Sequence, residues 1–346
     1  MTDHKNHNKE SLFGKTHSEL LNIVKNAGLP AFTARQLCEW LYTHKADKID
    51  DMTNLSKRAR SYLNNIYVVG KQSPVNVMNS SDGTKKYLFP ASDGHFIESA
   101  YIPDKNRHTL CLSSQVGCRM GCHFCMTGKQ GFQGQLSPGA VLNQLVSIDE
   151  ADSITNLVYM GMGEPFDNTD SVIKSIDILT SEWGFAMSPR RITVSTIGIV
   201  DGIRRFLSET EAHLAISMHT PFDKQRKELM PVEKAHPLGE VLKEIKLHDW
   251  SGQRRVSFEY IMFKGFNDTD KHINKLVSML GGLRCRVNLI RFHPVPGLPY
   301  ESSSDEIITG FRDKLSARGI TTTIRASRGE DIMAACGLLS TKRRSD

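Results

Sequence analysis

Three cysteines, Cys118, Cys122 and Cys125, fall in one short run, CRMGCHFC, at the spacing C-x3-C-x2-C. The run supplies three thiolates from a single tight stretch of backbone, with no obvious fourth. A closed structural zinc site takes four ligands, usually as two separated pairs, and a protein-held iron–sulfur cluster normally takes four cysteines. Three ligands on a 4Fe–4S cubane leave one iron open to something other than protein. The plainer alternatives are a partial zinc site or three ordinary cysteines. Of the cysteines outside the run, Cys38 in ARQLCEWLY and Cys285 at the head of an apolar strand read as small core hydrophobes. Cys111 precedes the run by seven residues, and Cys336 lies in RGEDIMAACGLL beside Gly337. Both are expected at the same end of the fold as the run, although on position alone each is better read as a structural thiol, Cys111 as a buried strand residue and Cys336 as a buried helix cysteine.

Other candidates recur at the ends of apolar runs. GMGEP, residues 161–165, brings Gly163 and Glu164 after NLVYM. Its glycines let backbone approach a ligand closely, and its free edge can bind an amine. A lone Gly-x-Gly is also an ordinary turn, and the full G-x-G-x-x-G is absent here, which argues against nicotinamide binding. Ser195 in VSTIG, and Ser217, Met218 and His219 in ISMHTP, offer hydroxyl and imidazole donors. Serine in such places is just as much a turn former. Asn288 lies within VNLIRF.

These residues need a scaffold that gathers strand ends. From Ser11 to Tyr67 the chain reads as three helices, LFGKTHSELLNIVKNAGLP, FTARQLCEWLYTHK and NLSKRARSYLNNIY. KKYLFPA and GHFIESAYIP then read as short antiparallel strands around a Ser-Asp-Gly turn signal. A domain boundary is expected near Pro103. Beyond it, strands expected at 109–114, 156–160, 192–196, 213–218, 256–262, 286–292 and 321–325 alternate with helices. The first helix opens on Ser137-Pro138, an N-cap followed by proline at the first helical position. Repeated βα units predict an α/β fold with a parallel sheet covered by helices and right-handed crossovers. Six main units fall short of eight, so a partial (β/α)6 barrel is expected, with ligands gathering where strands end. The expected division is residues 1–103 as a small helical domain with a short β linker, 104–339 as the barrel with its Cys336 segment, and 340–346 as a basic tail.

Composition narrows the class. With 346 residues, 39% hydrophobic and 24% charged, the chain can bury one large core and a small additional domain. Seven cysteines, three of them clustered, are not a secreted disulfide framework; they read as metal or redox chemistry. MTDHKNHNKESLFGK lacks the apolar stretch of a signal peptide, and no run spans a bilayer, so a cytoplasmic protein with no membrane partner is expected. The net charge of +6 is compatible with a polyanionic partner. Lys57, Arg58 and Arg60, and the tail Lys342, Arg343 and Arg344, are candidate phosphate contacts, or else a solvated helix face and a frayed end.

Taken together, SSQVGCRMGCHFCMTGKQGF, MGMGEPFDN, SPRRITVSTIGI, AISMH, VNLIRFHPVPGLPY and RGEDIMAACG resemble the RlmN/Cfr family of radical S-adenosylmethionine (SAM) adenine methyltransferases, over nearly the whole chain. The cysteine spacing alone resembles only the wider radical SAM superfamily, whose core is also a six-unit partial barrel. The AACG run and the cysteine before the cluster narrow the resemblance. IRASRGEDIMAACG, with Arg325 and Arg328, and MTGKQGF are more similar to the RlmN type. Met333 departs from the pattern, which commonly has aspartate there, and is expected to affect local packing more than chemistry.

The resemblance implies one 4Fe–4S cluster on Cys118, Cys122 and Cys125. It implies SAM on the open iron, bound by Gly163, Glu164, Ser195, Ser217, Met218, His219 and Asn288. A first SAM would methylate Cys336, and a second would be cleaved to a deoxyadenosyl radical that takes hydrogen from the S-methyl group. The methylene radical would add to carbon 2 of an adenosine in 23S rRNA, with adenosine 37 of some tRNAs as a possible second substrate. Cys111 would attack Cys336 and release the base, leaving a disulfide for a thiol reductant. Glu98 in FIESAYIP takes the place of the ring-proton base, although read by itself it is a solvated strand carboxylate. The target base must be splayed out. An electron donor is a further implied partner, and a monomer is expected. The alternatives are Cfr-like methylation of carbon 8, and a non-catalytic iron–sulfur protein that binds RNA or carries electrons. Electron transfer would want a fourth cluster cysteine, and a binding module would not need Cys111 and Cys336.

Overall fold

The computed structural model describes residues 9–295 and 297–341. The basic tail at Lys342, Arg343 and Arg344 lies outside the described residues. The three expected helices form first. β1 (Glu10–Ser11) and β2 (Tyr67–Val68) pair in parallel and bracket α1 (His17–Asn26), α2 (Thr33–Cys38) and α3 (Lys57–Ile66). Thr16 and Glu19 make a reciprocal capping box on α1, and Ser56 caps α3. Tyr42 carries this helical unit onto the barrel, its ring 6.1 Å from Trp183 and 5.5 Å from Phe185. One buried apolar cluster therefore runs continuously from Leu12 to Leu339.

β3 (Asn76–Asn79), β4 (Lys85–Pro90) and β5 (Phe96–Asp104) are antiparallel, and β5 pairs onward with β6 (Arg107–Cys111). The boundary expected near Pro103 thus falls inside a strand. Pro103 sits in β5, opposite His108, and the three strands extend the main sheet rather than link two domains. They satisfy the backbone groups that β6 would otherwise expose as a bare edge.

From β6 the expected alternation holds. β7 (Gln115–Val116), α4 (Met126–Gln130) and β8 (Gly134–Gln135) shape the cysteine loop, and β7 pairs with β8. Then follow α5 (Pro138–Val146), β9 (Asn156–Tyr159), α6 (Thr169–Thr180), β10 (Ile192–Thr196), α7 (Val200–Glu209), β11 (His213–Ser217), α8 (Asp223–Leu229), α9 (Leu238–Leu247), β12 (Val256–Met262), α10 (Asp270–Leu280), β13 (Cys285–Arg291), α11 (Asp305–Ala317) and β14 (Thr321–Ile324). Ser137 caps α5, with Pro138 in its first turn. Val172, Ile176 and Leu179 give α6 the buried stripe that a 3.6-residue period requires. The main sheet has the order β14-β13-β12-β11-β10-β9-β6-β5-β4-β3, and every pair from β6 to β14 is parallel. β14 pairs only with β13 among the described residues, so the barrel is an open arc. No helix among the described residues is long and apolar enough to cross a membrane.

Candidate active site

The cysteine loop is folded tightly by its glycines. Gly117 has φ 70°, and a Cβ there would lie 1.7 Å from the Gly131 carbonyl oxygen, so no other residue fits. The Cys118 amide donates to that same oxygen at 3.2 Å, and the Cys125 amide to Cys122 O at 3.1 Å. Arg119 anchors the loop's outer side, 2.9 Å from Asp167 and with its guanidinium 3.9 Å from the Phe132 ring centre. Burial pushes the Cys118 thiol up to about 12, and raises Cys122 and Cys125 as well.

Two adjoining cavities of about 150 Å³ each open at the strand ends. Cys118, Cys122, Gly163, Glu164, Ser195, Ser217 and His219 line the first, and Cys111 lines the second. Cys125, Arg325 and Cys336 line both. The sequence candidates are therefore brought together, with three exceptions. Met218 is wholly buried in the main core. Asn288 points inside the arc, donating to Glu259 Oε1 at 2.7 Å and accepting from the Thr323 hydroxyl at 2.7 Å. Glu98 lines neither cavity. Lys86 lies 3.0 Å from its Oε1, and its Oε2 accepts the Ser340 amide at 2.9 Å. Burial raises its pKa, and Lys86 only partly opposes that.

Glu164 is occupied by its own neighbours. It accepts from the Thr196 hydroxyl at 2.6 Å and from the Ile197 and Phe166 amides at 3.0 Å. Burial still pushes its carboxyl up to about 7 against those bonds. Gly163 holds φ 99°, and a Cβ there would strike Gln115 at 2.6 Å, so backbone rather than side chain meets the cavity at this point. His219 accepts the Ile261 amide on Nδ1 at 3.1 Å, and burial followed by the nearby Arg226 charge pushes its pKa down to about 3. A neutral imidazole with Nδ1 taken carries its proton on Nε2, so His219 is a donor.

Sequence reasoning missed Arg325 and Glu259 as site residues. Arg325 Nε lies 3.3 Å from Glu259 Oε2, and its Nη1 lies 3.3 Å from Met160 Sδ. Burial disfavours its charge, but Glu259 and the two thiols, Cys336 and Cys111, hold it on. Glu259 shares a register row with Ser217 and Asn288. A lone carboxylate in the apolar run VSFEYIM was the available signal.

Arg226 ties the site's floor together. Fully buried, it ion-pairs with Glu233 and donates to Ile197 O at 2.6 Å and Ser217 O at 3.1 Å, bridging the ends of β10 and β11. Glu233→Ala strands that charge and should cost about 3–5 kcal/mol in urea unfolding. A loss under about 1 kcal/mol would mean that the guanidinium finds other partners.

Two observations test the fit to a cluster and SAM. Among the described residues, no three His, Cys, Asp or Glu side chains converge tightly enough for one metal ion, although three cysteines line one cavity. A cubane gives each thiolate a different iron and so spreads the sulfurs, whereas zinc draws its ligands to one point. Glu259 Oε2 is buried on the cavity wall with Arg325 Nε at 3.3 Å as its near partner among the described residues, which leaves it acceptor capacity for a polar, cationic cofactor. The residues fit the group.

Comparison with known proteins agrees. Residues 112–277 match the radical SAM superfamily, and residues 10–69 match the ribosomal RNA large subunit methyltransferase N-terminal domain. A probable dual-specificity RNA methyltransferase RlmN of Bacteroides thetaiotaomicron is 53% identical over 338 residues, covering 98% of each chain. The dual-specificity RNA methyltransferase RlmN of Syntrophus aciditrophicus is 42% identical over 94% of each. The crystal structure of a radical SAM methyltransferase from Sphaerobacter thermophilus superposes with a TM-score of 0.89 at 39% identity, covering 95% of this chain and 99% of that one. With its partial barrel, its cysteine loop and near-complete coverage of these relatives, the chain belongs to the RlmN family of radical SAM methyltransferases.

Proposed function

We propose that this enzyme methylates carbon 2 of an adenosine in 23S rRNA, and adenosine 37 of some tRNAs, with Cys336 as the methyl carrier and Cys111 as the resolving thiol. The observation that supports this most is that two cysteines far apart in the chain line one cavity, which shares Cys125 and Arg325 with the cavity of the cysteine loop. Cys118, Cys122 and Cys125 would hold the 4Fe–4S cluster, while the Gly163 backbone, Ser195, Ser217 and His219 would face SAM. Bound there, cluster and SAM supply methyl groups and hydrogen-atom abstraction, which aromatic carbons too poor as nucleophiles require.

The chain's own residues do the rest. Cys336, exposed on its segment, lines both cavities, with the Arg325 guanidinium beside it. Cys111 is buried, its thiol pushed up to about 12 by burial and by Cys336, so it stays protonated until the adduct forms. Its sulfur then gives up its proton and bonds to that of Cys336. The sulfur–carbon bond to the product breaks with its electron pair left on the methylene carbon, which takes up a proton and becomes the methyl group, and a thiol donor returns two electrons to the disulfide. Glu98 is the proton acceptor in this reading. It shares a sheet face with Cys111, because Ala100 pairs with Cys111 and Glu98 is the diagonal neighbour, a separation of about 7 Å.

The test is mass spectrometry of adenosines after anaerobic incubation with SAM, reductant and rRNA or tRNA fragments. 2-Methyladenosine is expected. 8-Methyladenosine would assign the Cfr-like reaction instead, and no methylated adenosine would remove the catalytic reading.

RNA binding is assigned to the helical unit. Lys57 and Arg58 are exposed on α3, while Arg60 donates to Asp50 O at 3.0 Å. Lys57→Gln/Arg58→Gln should lower the log–log salt dependence of RNA binding by about 0.7–0.9 for each phosphate that is no longer neutralised. Deoxyadenosine release without RNA should not change. An unaltered slope would place the RNA elsewhere.

A further inference from the structure

An unassigned concentration of positive charge lies at the opposite end of the barrel. There, where β10 to β14 begin, a cleft of about 450 Å³ is lined by Arg190, His213, Arg254, Arg255, Arg284 and Arg286. Among the described residues, no aspartate or glutamate lines it. Five arginines in one cleft compare with a net charge of +6 for the whole chain.

Two of the arginines are structural. Arg254 is buried and donates to Ala212 O and Leu207 O at 2.9 Å and to Phe206 O at 3.1 Å. Arg284 donates to Ser251 O at 2.8 Å. Arg190, Arg255 and Arg286 are exposed, and none of their guanidiniums pairs with a carboxylate among the described residues. Burial first, and then the charges of Arg255, Arg254, Arg190 and Arg286, push His213 down to about 4, while Glu211 partly offsets the charge of Arg254. Carrying like charges together without acids costs stability unless an anion relieves them.

The chemistry of the lining selects the anion. Planar guanidinium forks match phosphate oxygens. No Phe, Tyr or Trp among the described residues lines the cleft, so there is no platform on which a base could stack. Arg284 also borders a second cleft of about 410 Å³ that holds Lys246, His248 and Trp250. The indole there is buried, its ring 4.7 Å from that of His248 and its Nε1 donating to Ile245 O at 2.8 Å, so it offers no open face for a base. The carboxylate of Asp249 there is already taken by the Ser251 amide and hydroxyl. The basic surface is therefore a groove longer than one phosphate.

We propose that this groove is a second anion site, which binds the phosphates of a phosphodiester or polyphosphate chain. It lies at strand starts, whereas the thiols and SAM-facing residues lie at strand ends, so it is independent of the methylation reading.

The experiment uses the full-length protein and two probes, inorganic tripolyphosphate and a short fluorescent single-stranded RNA. Arg255→Gln/Arg286→Gln is the test pair, since both side chains are exposed and neither meets a carboxylate among the described residues. Lys224→Gln/Lys275→Gln, on the exposed faces of α8 and α10, removes the same charge elsewhere. The test pair should weaken tripolyphosphate binding by about tenfold or more, through the removal of charge-assisted hydrogen bonds, while the control pair leaves it near wild type. If RNA binding and its salt slope fall too, the natural ligand is a phosphodiester chain; if they hold, it is a free polyphosphate. Equal affinity of wild type and test pair for both probes would overturn the proposal. Equal losses in test and control pairs would overturn it as well.

Discussion

Cys336→Ala should take up no methyl group from SAM and should yield no methylated RNA, whereas Cys111→Ala should be methylated on Cys336 and then stall with RNA covalently attached. The two cysteines share a cavity and the Arg325 guanidinium, yet they stand differently: Cys336 is exposed and Cys111 buried. The exposed sulfur can reach a methyl donor and a base. The buried one lines the second cavity beside Cys336 and is placed to attack its sulfur. Removing the carrier therefore stops the sequence before it starts, and removing the resolving thiol stops it after carbon–sulfur bonding to RNA. A denaturing gel with labelled RNA reads the trapped adduct, and peptide mass spectrometry of the Cys336 segment reads its methylation. Free turnover by Cys111→Ala would take Cys111 out of the mechanism. Unmethylated Cys336 in protein made with an intact cluster would take out the carrier.

The second large effect is expected at the cysteine loop. Anaerobically reconstituted protein should hold about four irons per chain, and alanine at Cys118, Cys122 or Cys125 should abolish SAM cleavage. Cys118 and Cys122 are buried and Cys125 is half-buried, and burial raises all three thiols. They line one cavity without converging on a point. Iron analysis and deoxyadenosine release check the prediction independently. A triple alanine variant that retained iron and cleaved SAM would end the assignment.

Much of this was legible in the sequence because it is carried by local patterns. Strands expected at 192–196 and 256–262 occur as Ile192–Thr196 and Val256–Met262. The spacing of the cysteine run carried its own chemistry. What escaped depends on pairing between distant segments. The boundary near Pro103 is a strand because β5 finds β6 as a partner, which local composition does not announce. Met218 follows the strand run into the core, although its neighbours Ser217 and His219 face the cavity. Arg325 becomes a site residue only because β14 ends beside Cys111 and Cys336. At Met333 the backbone adopts φ 54°, a left-handed conformation that short Asn or Asp side chains tolerate best and that a methionine takes at a cost.

The strictly sequential strand order has a consequence for synthesis. Each strand of the arc pairs with the one made just before it, from β6 through β14. A nascent chain can therefore lay down its sheet one crossover at a time, without waiting for a distant segment. The cysteine loop is translated at the start of that process, and Cys336 only after the last strand. A chain cut short between them would hold the cysteine loop and lack Cys336, and on the reading proposed above it could form no RNA adduct.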